Sequence, residues 1–222
     1  MFDIDLFPLR LSLQVAGLAT AICLVVGVAL ARLLARRRFW GRDILSALVT
    51  LPLILPPTVL GYYLLQVLGR RTAVGAFLED VFGIQIAFAW EGAVLASTIV
   101  ALPLMVRSAQ AAFESVDPSL ENAARTLGRS DLGVFFTITL PLAWQGVAAG
   151  TALTFARAIG EFGATIMLAG NIPGKTQTMS VAIYDAWQSG DAALANALVG
   201  ILTVTSVLSL LVIGRLVRVP RW

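Results

Sequence analysis

The sequence predicts an all-α polytopic membrane protein of about five transmembrane helices. Three observations predict it: apolar runs of bilayer length, a deficit of charge, and basic residues gathered at the ends of the runs. Of the 222 residues, 58% are hydrophobic and 13% charged, with a mean hydropathy of +0.86, against about half apolar and about a quarter charged in soluble domains. The apolar runs approach the roughly 20 residues that a helix needs to cross hydrocarbon, so lipid is the expected solvent. One domain over 1–222 accounts for the whole pattern.

Four spans are plain, at 11–34, 44–68, 87–106 and 134–155, and a fifth covers 192–216. The stretch 158–190 reads as non-spanning or re-entrant. Its most apolar piece, 164–169, is too short to cross and is flanked by Glu161 and Asn171. Irregular backbone at membrane depth is tolerated where protein or water shields it.

Lys and Arg decide the orientation, because loops that stay in the cytoplasm carry their excess. With the N-terminus outside and the C-terminus cytoplasmic, the inner side receives eleven: Arg32, Arg36, Arg37, Arg38, Arg42, Arg107, Arg125, Arg129, Arg215, Arg218 and Arg221. The outer side receives four, Arg10, Arg70, Arg71 and Lys175, and Arg157 sits at a helix end. A sixth span through 159–168 would throw the basic C-terminus outside. The start, MFDIDLFPLR, places Asp3 and Asp5 ahead of Arg10, the reverse of a cleaved leader's basic start, so the first helix is expected to stay.

Composition also narrows function. No histidine is present, which removes the usual general base and the commonest transition-metal ligand. A membrane enzyme would want a catalytic cluster, and the spans offer none. Net charge +3 does not point to nucleic acid, since the basic residues mark topology. Cys23 stands alone inside the first span and reads as inert packing.

Prolines punctuate the spans. Pro52, Pro56 and Pro57 in LPLILPP predict a sharp kink or a broken helix, Pro103 lies in the third span, and Pro141 near the start of the fourth. A gating bend and plain packing geometry both fit them. After the second span, Val74, Phe77, Leu78, Val81 and Phe82 recur at helical spacing with Glu79 and Asp80 opposite. This predicts an amphipathic helix in the outer interface, read as a connecting helix that covers span ends, with Trp90 as an interfacial anchor nearby.

The loop between the third and fourth spans reads SVDPSLENAARTLGRSDLGVFFTITLP. Asp117 suits an N-cap, Pro118 the first helical position, and Gly128 a left-handed C-terminal residue, which predicts a helix over 117–128 outside the membrane. Leu120, Ala123, Ala124 and Leu127 form a narrow stripe centred on two alanines, flanked by Glu121, Asn122 and Arg125. A helix this short is marginal alone in water and needs a partner surface. Its own bundle and a separate protein both fit that need.

The run from Asn122 to Pro141 resembles the signature of the permease subunits of ABC importers: a Glu-Ala-Ala box, three residues, Gly, nine residues, then Ile-x-Leu-Pro. Ala123, Ala124, Gly128, Ile138, Leu140 and Pro141 stand at the matching positions, while Asn122 replaces the box's Glu and Glu121 precedes it. The resemblance implies a type I ABC importer permease fold. It also implies that 117–128 is a coupling helix seated in an ATPase subunit, through Asp117, Leu120, Glu121, Asn122, Ala123, Ala124, Arg125, Thr126, Leu127 and Gly128. LPLILPPTVLGYYLL, GRRTAVG, FGIQIAFAWEGAVLA and FARAIGEFGATIMLAGNIPGKTQT further resemble the molybdate permease subunits, with sulfate permeases similar over part of this and tungstate not separable.

That resemblance implies a bacterial inner-membrane location, a second copy of the chain, two ABC ATPase subunits and an extracytoplasmic oxyanion-binding protein. No cofactor is expected on this chain, with ATP used by the ATPase. Pathway or gate residues are expected among Pro56, Pro57, Arg157, Glu161 and Gly163. Arg157 and Glu161, four residues apart, read as a structural ion pair in preference to direct contacts of a passing anion. Lys175 in GNIPGKT nearly imitates a phosphate-binding loop, but the required first glycine position is Ala169 and Gly170 is one too late. The rival from another class is a stand-alone secondary transporter, which predicts inverted repeats and buried relays; neither is found, and Glu161 is its lone candidate.

Overall fold

The computed structural model describes residues 5–37 and 39–217, and its described residues are helical with short connections. The elements in order are α1 (Phe7–Arg36), α2 (Arg42–Ile54), α3 (Pro57–Leu68), α4 (Ala73–Phe82), α5 (Trp90–Glu114), α6 (Pro118–Thr126) and α7 (Asp131–Val134). A π-helical turn (Phe135–Thr139) leads into α8 (Leu140–Ile159), followed by α9 (Gly163–Leu168), α10 (Met179–Gln188) and α11 (Ala192–Val217). Arg38, Arg218 and Arg221, counted above for orientation, lie outside the described residues.

Packing fixes the direction of each span. Leu11 and Val15 of α1 meet Ala93 and Val94 of α5, while Ala31 and Leu34 meet Val106, Ala109 and Phe113, so α1 and α5 run parallel. The chain must therefore cross between them, and α2 and α3 make that crossing together. Leu45 and Val49 of α2 pack at the level of Arg36, whereas Leu60 of α3 packs with Ala96, Val100 and Leu168 toward the Phe7 end. Of the sharp kink and the broken helix expected in LPLILPP, the structure has the break, with a 116° bend between the two axes. Pro56 and Pro57 lack the N–H groups that would carry the ladder through, so the helix stops and restarts.

α8 returns antiparallel: Ala143 and Val147 sit with the Arg36-end cluster, and Ala158 and Ile159 with Ala16, Ala19, Cys23 and Ala101. Pro141 explains the π-helical turn ahead of it. Without its N–H the register slips, and the Leu140 N–H reaches back five residues to the Phe135 carbonyl. α11 starts beside α10 and Leu9 and descends past Ile159, where Leu202 packs. Five crossings result, as the sequence predicts, with the two ends of the described chain on opposite faces.

The core between α1 and α5 is built from small side chains. Ala16, Ala19, Ala31, Ala101 and Ala109 are fully buried, which lets backbones approach closely where lipid supplies no hydrophobic drive for association. Cys23 packs there, its thiol 3.4 Å from the Thr98 carbonyl, in keeping with inert packing. α5 outruns the expected 87–106, reaching Glu114, because Arg107 is tied to Ser46 and Thr50 of α2 and is not a span boundary. The helix expected around 74–82 is α4; Arg70 donates to Glu79 and holds that carboxyl below its usual range. Trp90, expected as an interfacial anchor, is half-buried against the cluster of Leu11, Val15, Ala93 and Val94.

Candidate functional site

α6 and the residues that brace it form the first part of the site. The Ser119 N–H donates to Asp117 Oδ1 at 2.8 Å, capping the helix. That bond holds the Asp117 carboxyl below its ordinary range, so the charged cap persists until the pH falls through that lowered value. Gly128 has φ +83°, and the Arg129 N–H bonds back to the Ala124 carbonyl at 3.1 Å, closing the helix. The helix proper spans nine residues.

The alanine stripe does not pack on the bundle. Leu120 is 47% exposed and Leu127 86%, Ala123 is exposed and Ala124 half-buried. What the bundle takes instead is a carboxylate. Glu121 is 4% exposed, its Oε1 lying 3.1 Å from Arg36 Nη2 and accepting from Thr139 Oγ1 at 2.6 Å. Arg36 also donates to the Val116 carbonyl at 2.9 Å. A buried carboxylate is sustained only when paired and hydrogen-bonded, and here the bonds tie α6 to the end of α1 and to the π-helical turn before α8.

Asn122, at the motif's Glu position, is exposed and accepts from Arg125 Nη1 at 3.0 Å. Arg125 also lies 3.0 Å from Asp131 Oδ1, and Thr126 caps back onto the Ala123 carbonyl. Sequence reasoning placed Glu121 among the docking flank and missed its inward role.

The second part lies where α8 ends, level with Ala16, Ala19 and Cys23 of α1. Arg157 Nη1 and Glu161 Oε2 are 2.6 Å apart, and Glu161 Oε1 accepts from the Ala164 N–H at 2.8 Å. The helix does not carry the pair, because α8 stops at Ile159 and Glu161 turns inward from the connection to α9. Its carboxylate thus occupies the start of α9. A Cβ on Gly163 would stand 3.0 Å from the Thr58 nitrogen and 3.1 Å from Pro57 Cβ, so the start of α9 rests on the start of α3, just past Pro56. Of the five expected pathway residues, the structure joins Arg157 to Glu161 and Pro57 to Gly163. Lys175 lies apart from both parts, exposed in the loop 170–178 beside Arg10 and Trp90.

Comparison with known proteins agrees with this architecture. Residues 13–219 match the model of the binding-protein-dependent transport system inner membrane component. The molybdenum transport system permease protein ModB of Escherichia coli strain K12 is 47% identical over 212 residues, 95% of this chain and 93% of that protein. The protein of the same name from Haemophilus influenzae is 46% identical over 188 residues, 85% of this chain and 82% of its own. Among solved structures, an inward-facing MetNI methionine ABC transporter superposes with TM-score 0.75 at 18% identity, covering 98% of both chains. A bacterial ABC transporter that imports alginate gives 0.78 at 18% identity over 98% of this chain and 80% of that one. These two share the fold. By its helical spans, by the match over 13–219 and by relatives close to half identical, this chain belongs to the binding-protein-dependent transport system inner membrane component family.

Proposed function

We propose that this chain is the membrane-spanning permease subunit of an ATP-driven ABC importer that carries molybdate across the cytoplasmic membrane by alternating access. The observation that carries the reading is α6: a capped helix whose apolar face is left outward while a buried carboxylate bolts its other side to the spans. Such a helix transmits force. An ATPase subunit seated on Leu120, Ala123, Ala124 and Leu127 and moved by ATP would pull on α1 through Arg36 and on α8 through Thr139. Asp117, Asn122, Arg125, Thr126 and Gly128 fix the helix and rim that seat.

In this arrangement the Arg36 end is cytoplasmic and the Phe7 end faces out. Arg36, Arg37, Arg42, Arg125 and Arg129 cluster at the former, as loops retained inside require. Two copies would line a central route, since five spans are thin walls for a pathway. ATP would be bound and hydrolysed by the ATPase subunits and not by this chain, and an extracytoplasmic binding protein would deliver the anion. The residues around the α3–α9 contact (Pro56, Pro57, Arg157, Glu161 and Gly163) are the proposed gate region, where the helix broken at Pro56–Pro57 meets the short α9.

Molybdate is favoured over sulfate by the similarity to molybdenum permeases along nearly the whole chain. The test is uptake into vesicles holding the permease, its ATPase and its binding protein. Molybdate accumulation that requires ATP supports the proposal. Uptake by the chain alone, driven by an ion gradient, overturns it in favour of a secondary transporter.

A further inference from the structure

A cavity of about 810 Å³ opens at the Arg36 end between α1 and the segment running from α7 into α8. Its mouth is basic. Arg32, Arg36, Arg37 and Arg125 line it together with two acids, Glu121 and Asp131, leaving an excess of two positive charges. Its upper walls are apolar: Val25 and Val28 on one side face Phe136 and Trp144 on the other. From Leu24 to Arg36 the groove follows α1 for twelve residue steps, roughly 18 Å of helix. That length runs from the arginine-rich end of α1 into its apolar run.

We infer that this groove binds one anionic phospholipid, its phosphodiester among Arg32, Arg36 and Arg37 and an acyl chain along Val25, Phe136 and Trp144. The arginines are only partly engaged by the protein. Arg32 donates to the Asp131 carbonyl at 2.7 Å and stacks over the Phe135 ring at 4.1 Å, which fixes its guanidinium at the rim. Arg36 Nε is buried with no hydrogen-bond partner. Arg37 is exposed and makes no ion pair among the described residues. Beside it Trp40 is 97% exposed, where an indole suits the headgroup layer.

Charge and shape together select the occupant. A free oxyanion would use the arginines but gain nothing from the apolar walls. A protein docking from the aqueous side would reach Arg37 but not Val25. An anionic lipid satisfies both ends, and juxtamembrane arginines attract such headgroups. None of Leu120, Ala123, Ala124 and Leu127 lines the cavity, so the lipid seat leaves the apolar stripe of the proposed ATPase seat free and meets that seat's rim only at Arg125. This inference stands apart from the identity of the transported anion.

Trp144 provides the readout. The full chain is reconstituted in bilayers containing phosphatidylcholine and phosphatidylglycerol, one of them brominated, and the quenching lost in Trp144→Phe is taken as the groove signal. Phosphatidylglycerol should displace phosphatidylcholine beside Trp144 with at least about fivefold preference, the worth of one basic side chain near a charged headgroup. Arg32→Gln with Arg37→Gln should bring the ratio to one. Arg37→Gln alone removes no side-chain hydrogen bond or ion pair among the described residues and should give an intermediate ratio, which separates loss of binding from loss of fold. Equal quenching by both lipids overturns the inference, as does an unchanged ratio in Arg37→Gln. Reversal of the preference by millimolar inorganic phosphate would mark a free-anion site, and absence of quenching by either lipid a protein neighbour; each overturns it too.

Discussion

Arg36 at the end of the first span and Glu121 on α6 are 3.1 Å apart, and the carboxylate is nearly sealed from solvent. Two segments 85 positions apart in sequence are thereby held together at this contact. A charged pair in that setting is costly to break from one side, because the survivor stays buried without its counter-charge.

Replacing Glu121 with Met should therefore lower stability by about 3 kcal/mol, seen in thermal unfolding of the detergent-purified chain. Replacing Arg36 and Glu121 together, both with Met, should recover part of that loss, with a coupling energy of about 1–3 kcal/mol. On the proposed mechanism the double variant still loses ATP-driven uptake, since the fold is repaired but the link between α6 and α1 is not. Full uptake in the double variant would remove Arg36–Glu121 from force transmission.

Arg157 and Glu161 make a second pair, with the Glu161 side chain 1% exposed. Arg157→Gln should destabilise the chain by roughly 3 kcal/mol, because a carboxylate is left at membrane depth. Arg157→Lys should restore most of the stability. Molybdate uptake measured at equal expression then separates the two roles. If Lys restores both stability and uptake, the pair is structural; if it restores stability alone, the guanidinium contacts the passing anion.

Gly61 on α3 lies against α9, where an added Cβ would stand 2.8 Å from the Ala164 Cα and carbonyl oxygen. Gly61→Val should cost about 2 kcal/mol by overpacking and push α3 away from α9. If the α3–α9 contact belongs to the gate, uptake falls while ATPase activity continues uncoupled from it. Uptake and ATPase activity reduced in equal proportion would assign Gly61 to packing alone.

The five crossings, the bounds of α6 and the Arg157–Glu161 pair were legible in the sequence, because each leaves a local mark: an apolar run, a capping pattern, a spacing of four. What was not legible depends on partners distant in the chain. A sharp kink or a break at Pro56–Pro57 was expected from the prolines, but the 116° angle between the two axes leaves no local mark. Glu121 reads as a surface residue because nothing near it in sequence announces Arg36 or Thr139. Arg107 looks like a span boundary by composition, yet α5 continues past it since Ser46 and Thr50 satisfy the guanidinium. For the alanine stripe, periodicity left two partners open. The structure removes the bundle as one of them.

Ala123 sits at the centre of that exposed stripe, and the native thiol, Cys23, is buried. Ala123→Cys therefore gives a reporter for an impermeant maleimide. The proposed function requires labelling in inside-out membrane vesicles, none in right-side-out ones, and protection when the ATPase subunit is added. Labelling from the exterior, or labelling that the ATPase leaves unchanged, would contradict α6 as the point where ATP-driven motion enters the membrane domain.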